Sequence, residues 1–325
     1  MTNKYFKIKN YTVHFKRLVF KFLSQFIRIW EDNFLIKYGN SNLKHQPIFI
    51  IGAPRTGSTI LYQMITNKLD VQYIDNIACN FHRNIFFGMW LSNKLFKNRP
   101  HNSSISTFGN TSASGLRAPS ECGYFWNRWL PTDRHFIDFN DFSKKTAEEI
   151  RQEITAIINY FNKPIIFKNL NAGQRLRLIK VCFPDAKFIF IRRDPYFTSQ
   201  DILESKRKLG LKDDDYWGIK AKNFLKLKTM RWPEQIVKQV YYLEKQIIWD
   251  QKLFPVDNFF ELEYVDLANQ QLVFTNIKKF IDVTDKEEGR GGLSIIINEH
   301  ETLSKNDISL LKKEIQALDW SSYED

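Results

Sequence analysis

PIFIIGAPRTGSTILYQ, Pro47 to Gln63, decides how the rest of the chain reads. The apolar run Ile48, Phe49, Ile50 and Ile51 suits a buried strand, Gly52 to Gly57 a tight turn, and Ser58 onward the start of a helix. Strand, loop and helix in that order make a phosphate-binding loop, whose usual pattern is G-x-x-x-x-G-K-[ST]. Gly52, Gly57 and Thr59 occupy its fixed places, but Ser58 stands where nucleotide triphosphatases carry a lysine for the terminal phosphates.

Outward from the loop, the same alternation recurs. Residues 143 to 162 read as a helix, PIIFK (Pro164 to Lys168) as a short buried strand, Gly173 to Val181 as a helix, and AKFIFIR (Ala186 to Arg192) as a third strand ending before Asp194-Pro195. Strands alternating with helices predict an α/β fold: a P-loop-type, mainly parallel sheet flanked by helices on both faces. Ligands of such sheets bind at the carboxyl ends of the strands, so GAPRTGST, KNLN and RRDPYFTS are expected to meet at one site. Lys206 to Lys228 and Pro233 to Trp249 read as outer helices, NFFELEY (Asn258 to Tyr264) as a further strand, and Asn306 to Leu318 as a C-terminal helix. Residues 80 to 118 read as an irregular, substrate-facing insertion.

Ahead of the first strand, Phe15, Leu18, Val19, Phe22, Leu23, Phe26 and Ile27 fall on one helix face, with Lys16, Arg17, Lys21 and Arg28 elsewhere. Two readings of this amphipathic helix, residues 14–38, stand: it packs on its own domain, or it lies in a membrane interface. The expected organisation is one domain spanning 1–325, with a core at about 45–285, an N-terminal helical extension at 1–44 and a C-terminal loop and helix at 286–325.

With 43% apolar and 15% aromatic residues the chain is a folded globule and not a disordered one. The net charge of +12 suits an anionic partner. It equally suits a general excess of lysine in a Lys-, Asn- and Ile-rich sequence. The aromatics sit in apolar runs and are not interleaved with basic residues, which argues against nucleic acid. Cys79, Cys122 and Cys182 lie far apart with no C-x-x-C spacing, so neither a disulfide framework nor a zinc site is expected, and a reducing compartment follows. No apolar run approaches the roughly 20 residues that span a bilayer, and no cleavage site follows an apolar block. The expected location is the cytoplasm, with peripheral contact at the inner membrane surface if the N-terminal helix lies in the interface.

Together the three loop stretches resemble the sulfotransferases that use 3′-phosphoadenosine-5′-phosphosulfate, the bacterial-type family more than the cytosolic steroid and phenol enzymes. GAPRTGST (Gly52 to Thr59) fits the family's lysine-free loop, G-x-[PR]-R-[ST]-G-[ST]-[ST]. FIFIRRDP (Phe188 to Pro195) fits its strand ending in R-[RN]-x-P, and IIFKNLNAGQRLRLIKVCFPDAKF (Ile165 to Phe188) its lysine-closed strand leading to a helix. The similarity is close over about residues 45 to 205. It implies transfer of a sulfuryl group from that donor to a hydroxyl or amine of a small-molecule, glycan or lipid acceptor, with no metal. Such a donor has no γ-phosphate for a lysine to reach, which accounts for Ser58.

On this reading Arg55 and the amides of Thr56, Gly57, Ser58 and Thr59 hold the 5′-phosphosulfate, since amides at a helix N-terminus point at anions. The resemblance assigns Arg193 to the 3′-phosphate. A serine usually helps it eight residues on, where this chain has Asp201; Ser199 is the alternative. Arg290, in KEEGRGG, is similar to a C-terminal phosphate-closing arginine. Lys168 is the cation for the bridging oxygen. The histidine that follows it by two in cytosolic enzymes is Leu170 here, read as a packing residue. APSECGYFW (Ala118 to Trp126) is similar to a P-x-E-[CDE] segment, making Glu121 the candidate general base, expected among aromatics with a raised pKa. A helix-capping role for Glu121 stays open, as do His82 and His101 as reserve bases, while His300 is placed near the C-terminal helix. Phe81, Phe86, Phe87, Trp90, Tyr124, Trp126 and Trp129 line a pocket or belong to the core. The rival classes are a P-loop kinase or NTPase and a non-catalytic basic binding protein.

Overall fold

The computed structural model describes residues 24–97, 99–101, 111, 114–286, 297 and 299–323. In chain order these form α1 (residues 24–39), β1 (Ile48–Ile51), α2 (Ser58–Lys68), α3 (Asn76–Asn80), α4 (Ile85–Phe96), α5 (Gly123–Trp126), α6 (Lys144–Phe161) and β2 (Ile166–Phe167). There follow α7 (Leu176–Cys182), β3 (Lys187–Arg192), α8 (Pro195–Lys208), α9 (Phe224–Leu227), α10 (Trp232–Gln251), β4 (Phe259–Glu263), α11 (Gln270–Ile281) and α12 (Lys305–Gln316).

The strands pair in the order β2-β1-β3-β4, every pair parallel. β1, β2 and the middle of β3 are apolar on both faces because helices cover both, while the edge strand β4 carries the exposed Glu261 and Glu263. Phe49 and Ile51 of β1 join Phe167, Phe188 and Phe190 in one core, while Ile48 and Ile50 join Ile166, Ile189 and Ile191 in the other. The alternation follows from the two-residue period of a strand. On the first face, register places four phenylalanines in a row across the sheet: Phe167 and Phe49 stack at 5.2 Å, Phe49 and Phe188 at 5.8 Å, Phe188 and Phe259 at 4.6 Å. Cross-strand aromatic pairs of this kind contribute roughly 0.5–1 kcal/mol each.

The helices begin where local chemistry starts them. Ser143 accepts from Thr146 N at the head of α6, and Asp194 accepts from Tyr196 N and Phe197 N ahead of Pro195 in α8.

The structure departs from expectation in several places. The insertion is not irregular throughout: α3, capped by Asp75, leads into it, and it carries α4, whose Ile85, Phe86 and Met89 are buried. Between α8 and the one-turn α9 the chain runs without helix, as a loop that turns at Gly210 (φ 71°) and tucks Ile219 and Ala221 into a small core. Cys79 and Cys122 form a disulfide across 43 residues, correcting the expectation of unpaired thiols, while Cys182 is free and buried. A pairing between distant segments leaves no spacing signature for sequence to show.

Phe86 and Trp126 are core and Phe81, Phe87, Trp90 and Trp129 stack around it; Tyr124 alone of the seven aromatics is largely exposed, at 68%. The described part of the N-terminal helix packs on the domain through Trp30, Phe34, Leu35 and Tyr38. Phe26, Ile29 and Ile36 face outward, and the residues from Phe15 to Leu23 lie outside the described ones. Among the described residues no helix is long and apolar enough to cross a membrane.

Candidate active site

A cleft of about 690 Å³ opens at the carboxyl ends of the strands. Its floor is the turn after β1. Gly57 has φ 83°, and a Cβ there would meet the Tyr264 ring at 2.5 Å, so only glycine fits. Arg55 also adopts a left-handed backbone (φ 71°), a strained choice for a residue with a Cβ. It is held because Arg193 Nη1 donates to Arg55 O at 3.0 Å and Thr56 Oγ1 donates to Ala53 O at 2.9 Å. As N-cap of α2, Gly57 offers no side chain to the first-turn N–H groups, and that turn holds no acid. Those amides therefore face the cleft mouth with the positive end of the helix dipole behind them.

Lys168 follows β2, and its side chain is only 3% exposed. Its Nζ donates to Thr59 Oγ1 at 2.7 Å and to Glu121 Oε1. The ammonium thus joins the loop helix to the candidate base. Glu121 faces this lysine and the cleft, not a ring of aromatics, and its side chain is 39% exposed. It does not cap α5, whose N-cap is Cys122 with no side-chain bond. The segment carrying Glu121 is tied on several sides. Ser120 N donates to Ile74 O, Thr111 Oγ1 to Pro119 O, Asn169 Nδ2 to Glu121 O at 3.4 Å, and Cys122 is bonded to Cys79.

Across the cleft, Arg193 leaves β3 with its side chain 4% exposed. Its Nη1 donates to Asp201 Oδ2 at 2.7 Å, its Nε to Glu299 Oε1 at 3.3 Å, and its guanidinium lies 4.5 Å from the Tyr264 ring centre. Arg55 Nη2 stands 3.9 Å from the same Asp201 oxygen. Ser199 is fully buried, its Oγ has no hydrogen-bond partner among the described residues, and it does not line the cleft. Arg290 lies outside the described residues.

Neither reserve base lines the cleft. His101 is buried against Thr66 Oγ1, with its pKa lowered to about 3 by burial and by Lys286 and Arg117. His82 contacts Cys79 O, and burial lowers its pKa. His300 O accepts from Gln200 Nε2 of α8. Leu170 packs against the Ile219–Leu227 core and also touches the cleft.

Asn169 and Asn171 of the KNLN stretch line the cleft as expected; Lys208, Trp217 to Ile219 and Tyr264 line it too, and sequence reading named none of these for the site. Tyr264 had a signal, since it follows a strand, where such sheets bind ligands. Trp217 to Ile219 had none, for their place depends on a loop folded back over α10. No group of three or more His, Cys, Asp or Glu among the described residues is placed to hold a metal ion.

The family profile described as "Sulfotransferase family" matches residues 47–287. Curated relatives from Mycobacterium bovis and Mycobacterium tuberculosis, each named omega-hydroxy-beta-dihydromenaquinone-9 sulfotransferase Stf3, are 23% identical over 240 residues. That alignment takes in 68% of this chain and 58% of theirs, so the chain spans little more than half the length of those relatives. Among solved structures, sulfotransferase STF1 from Mycobacterium tuberculosis superposes with a TM-score of 0.52 at 14% identity, covering 91% of this chain and 82% of that one; the likeness is one of fold.

Proposed function

Because this chain belongs to the sulfotransferase family, we propose that it moves a sulfuryl group from 3′-phosphoadenosine-5′-phosphosulfate to a hydroxyl or amine of a small-molecule, glycan or lipid acceptor. The observation that supports this most is the position of Lys168, whose ammonium bonds both Thr59 on the phosphate-binding helix and Glu121 at the cleft wall.

The residues present suit such a donor. Gly57, Ser58 and Thr59 at the head of α2 line the cleft, and no carboxylate occupies that turn. The donor supplies a sulfuryl group on a phosphate leaving group. Ser58, Thr59 and the loop amides hold the phosphosulfate end, Arg55 adds a cation, and Lys168 neutralises charge on the oxygen that bridges sulfur and phosphorus. Glu121 takes the proton from the acceptor's O–H or N–H as that atom bonds to sulfur and the bridging S–O bond breaks. Fixing base, cation and loop in one bonded row supplies the alignment that in-line transfer requires. A metal-dependent phosphoryl transferase would want a lysine at position 58 and a carboxylate closing β3, which instead ends in Arg192 and Arg193.

The relatives named for a hydroxylated dihydromenaquinone favour a hydroxyl-bearing acceptor. A peripheral membrane contact through residues 14–38 is in keeping with the outward Phe26, Ile29 and Ile36. Thermal-shift titration tests the donor assignment: adenosine 3′,5′-bisphosphate without metal should stabilise the protein, and ATP with Mg²⁺ should do so less. Stabilisation by MgATP alone would remove it.

A further inference from the structure

We propose that Asp201 sets the donor specificity of this cleft: the end away from Lys168 reads a ribose hydroxyl, so the protein binds nucleoside 5′-phosphosulfates with little regard for a second, 3′-phosphate. This rests on the reading that a phosphosulfate nucleotide fills the cleft with its phosphosulfate on the loop.

A nucleotide held that way runs its sugar toward the arginines of the far wall. A second phosphate would need a cation with N–H groups to give, and Arg193 lines that wall. Its Nη1 and Nε donors are already committed, Nη1 to Asp201 and to Arg55 O, Nε to Glu299. Arg55, the other arginine, points at the same Asp201 oxygen. Two guanidinium charges are thus answered by two carboxylates before any ligand arrives. Asp201 itself lines the cleft with a quarter of its side chain exposed, so a phosphate brought to Arg193 meets a carboxylate at contact distance. Like charges at a few ångströms repel, and more strongly in a partly desolvated cleft than in water.

A hydroxyl meets the opposite situation, since it donates to a carboxylate and needs no cation. The same contrast separates dinucleotide sites, where an acidic residue takes a ribose hydroxyl and an arginine takes a ribose phosphate. Ser199 offers no relief, because its hydroxyl is buried and Ser199 does not line the cleft.

The test is calorimetric titration of the full chain with adenosine 5′-phosphate and adenosine 3′,5′-bisphosphate, repeated on Asp201→Ser and on Asp201→Asn, which keeps the side chain's size should the serine variant fold poorly. The parent should bind the two nucleotides within about tenfold of each other, against the larger gain an open arginine gives a phosphate. In the variants the bisphosphate should tighten by about tenfold and the monophosphate weaken a few-fold, so the two curves move in opposite directions. A parental preference for the bisphosphate beyond about tenfold, or variants in which it does not tighten, would overturn the proposal. If the parent binds neither nucleotide, the donor reading beneath it fails first, a result distinct from both.

Discussion

At one end of the cleft, the turn from Gly52 to Thr59 presents backbone N–H groups that no side chain caps, with Lys168 shared between Thr59 and Glu121. At the other, Arg193 and Arg55 face Asp201 and Glu299, and a buried guanidinium is matched by carboxylates. The first end keeps its donors for a ligand; the second spends them inside the protein. Positive residues in a pocket do not by themselves make an anion site, since what matters is whether they are already neutralised.

The largest expected effect belongs to the open end. Glu121→Gln should bind adenosine 3′,5′-bisphosphate as the parent does and lose roughly 10²–10⁴-fold in turnover, read as donor hydrolysis or acceptor sulfation. Parental turnover in the folded variant would deny Glu121 the proton and leave the open end a binding site only.

Next in size is the Cys79–Cys122 bond, which fastens the residue beside Glu121 to α3. Closing a 43-residue span should contribute about 2–4 kcal/mol to stability. Cys79→Ser or a thiol reductant should lower the denaturation midpoint by that amount and reduce turnover, with nucleotide affinity unchanged because the far end is untouched. Equal loss of affinity and turnover would mean that the ends are not separable.

Arg193→Ala should destabilise the fold by about 2 kcal/mol, leaving Asp201 and Glu299 facing each other without their cation. Arg55→Ala should cost under about 1 kcal/mol, since Arg55 is a third exposed and 3.9 Å from its partner. Urea denaturation of both variants decides, and equal losses would dissolve the contrast between a buried, closely paired arginine and a partly exposed one at longer range.

The one expected gain concerns Arg175, which obeys neither rule. It is 3% exposed, its Nε has no hydrogen-bond partner, and it forms no ion pair among the described residues; burial lowers its pKa to about 10. Arg175→Met should therefore raise stability by about 1 kcal/mol by removing an uncompensated buried charge. A fall in the melting temperature would show that its packing outweighs its charge.

The legible parts of the molecule were those written in contiguous residues. β1, its turn and α2 follow from one run, and Lys168 and Arg193 follow because each closes an apolar strand. What stayed hidden depends on meetings across the chain. Asp201 was visible as an acid where a serine was expected. That it bonds Arg193, eight residues back and ahead of α8, joined by Glu299 from 106 residues on, was not. α4 was missed because its apolar residues include Phe86, Phe87 and Trp90, whose crowding hides the helical period, and because the helix is secured by Asn84 and Glu31 of a distant segment. The disulfide and the Trp217–Ile219 wall likewise require the fold to be known first.

Tyr264 stands between the two ends. One edge of its ring lies where a side chain at position 57 would go, and Arg193 lies over its face. The ring works as a gauge block, setting the separation of phosphate turn and arginine by the width of an aromatic that cannot compress. The spacing between phosphate turn and arginine is therefore held by packing and not by charge.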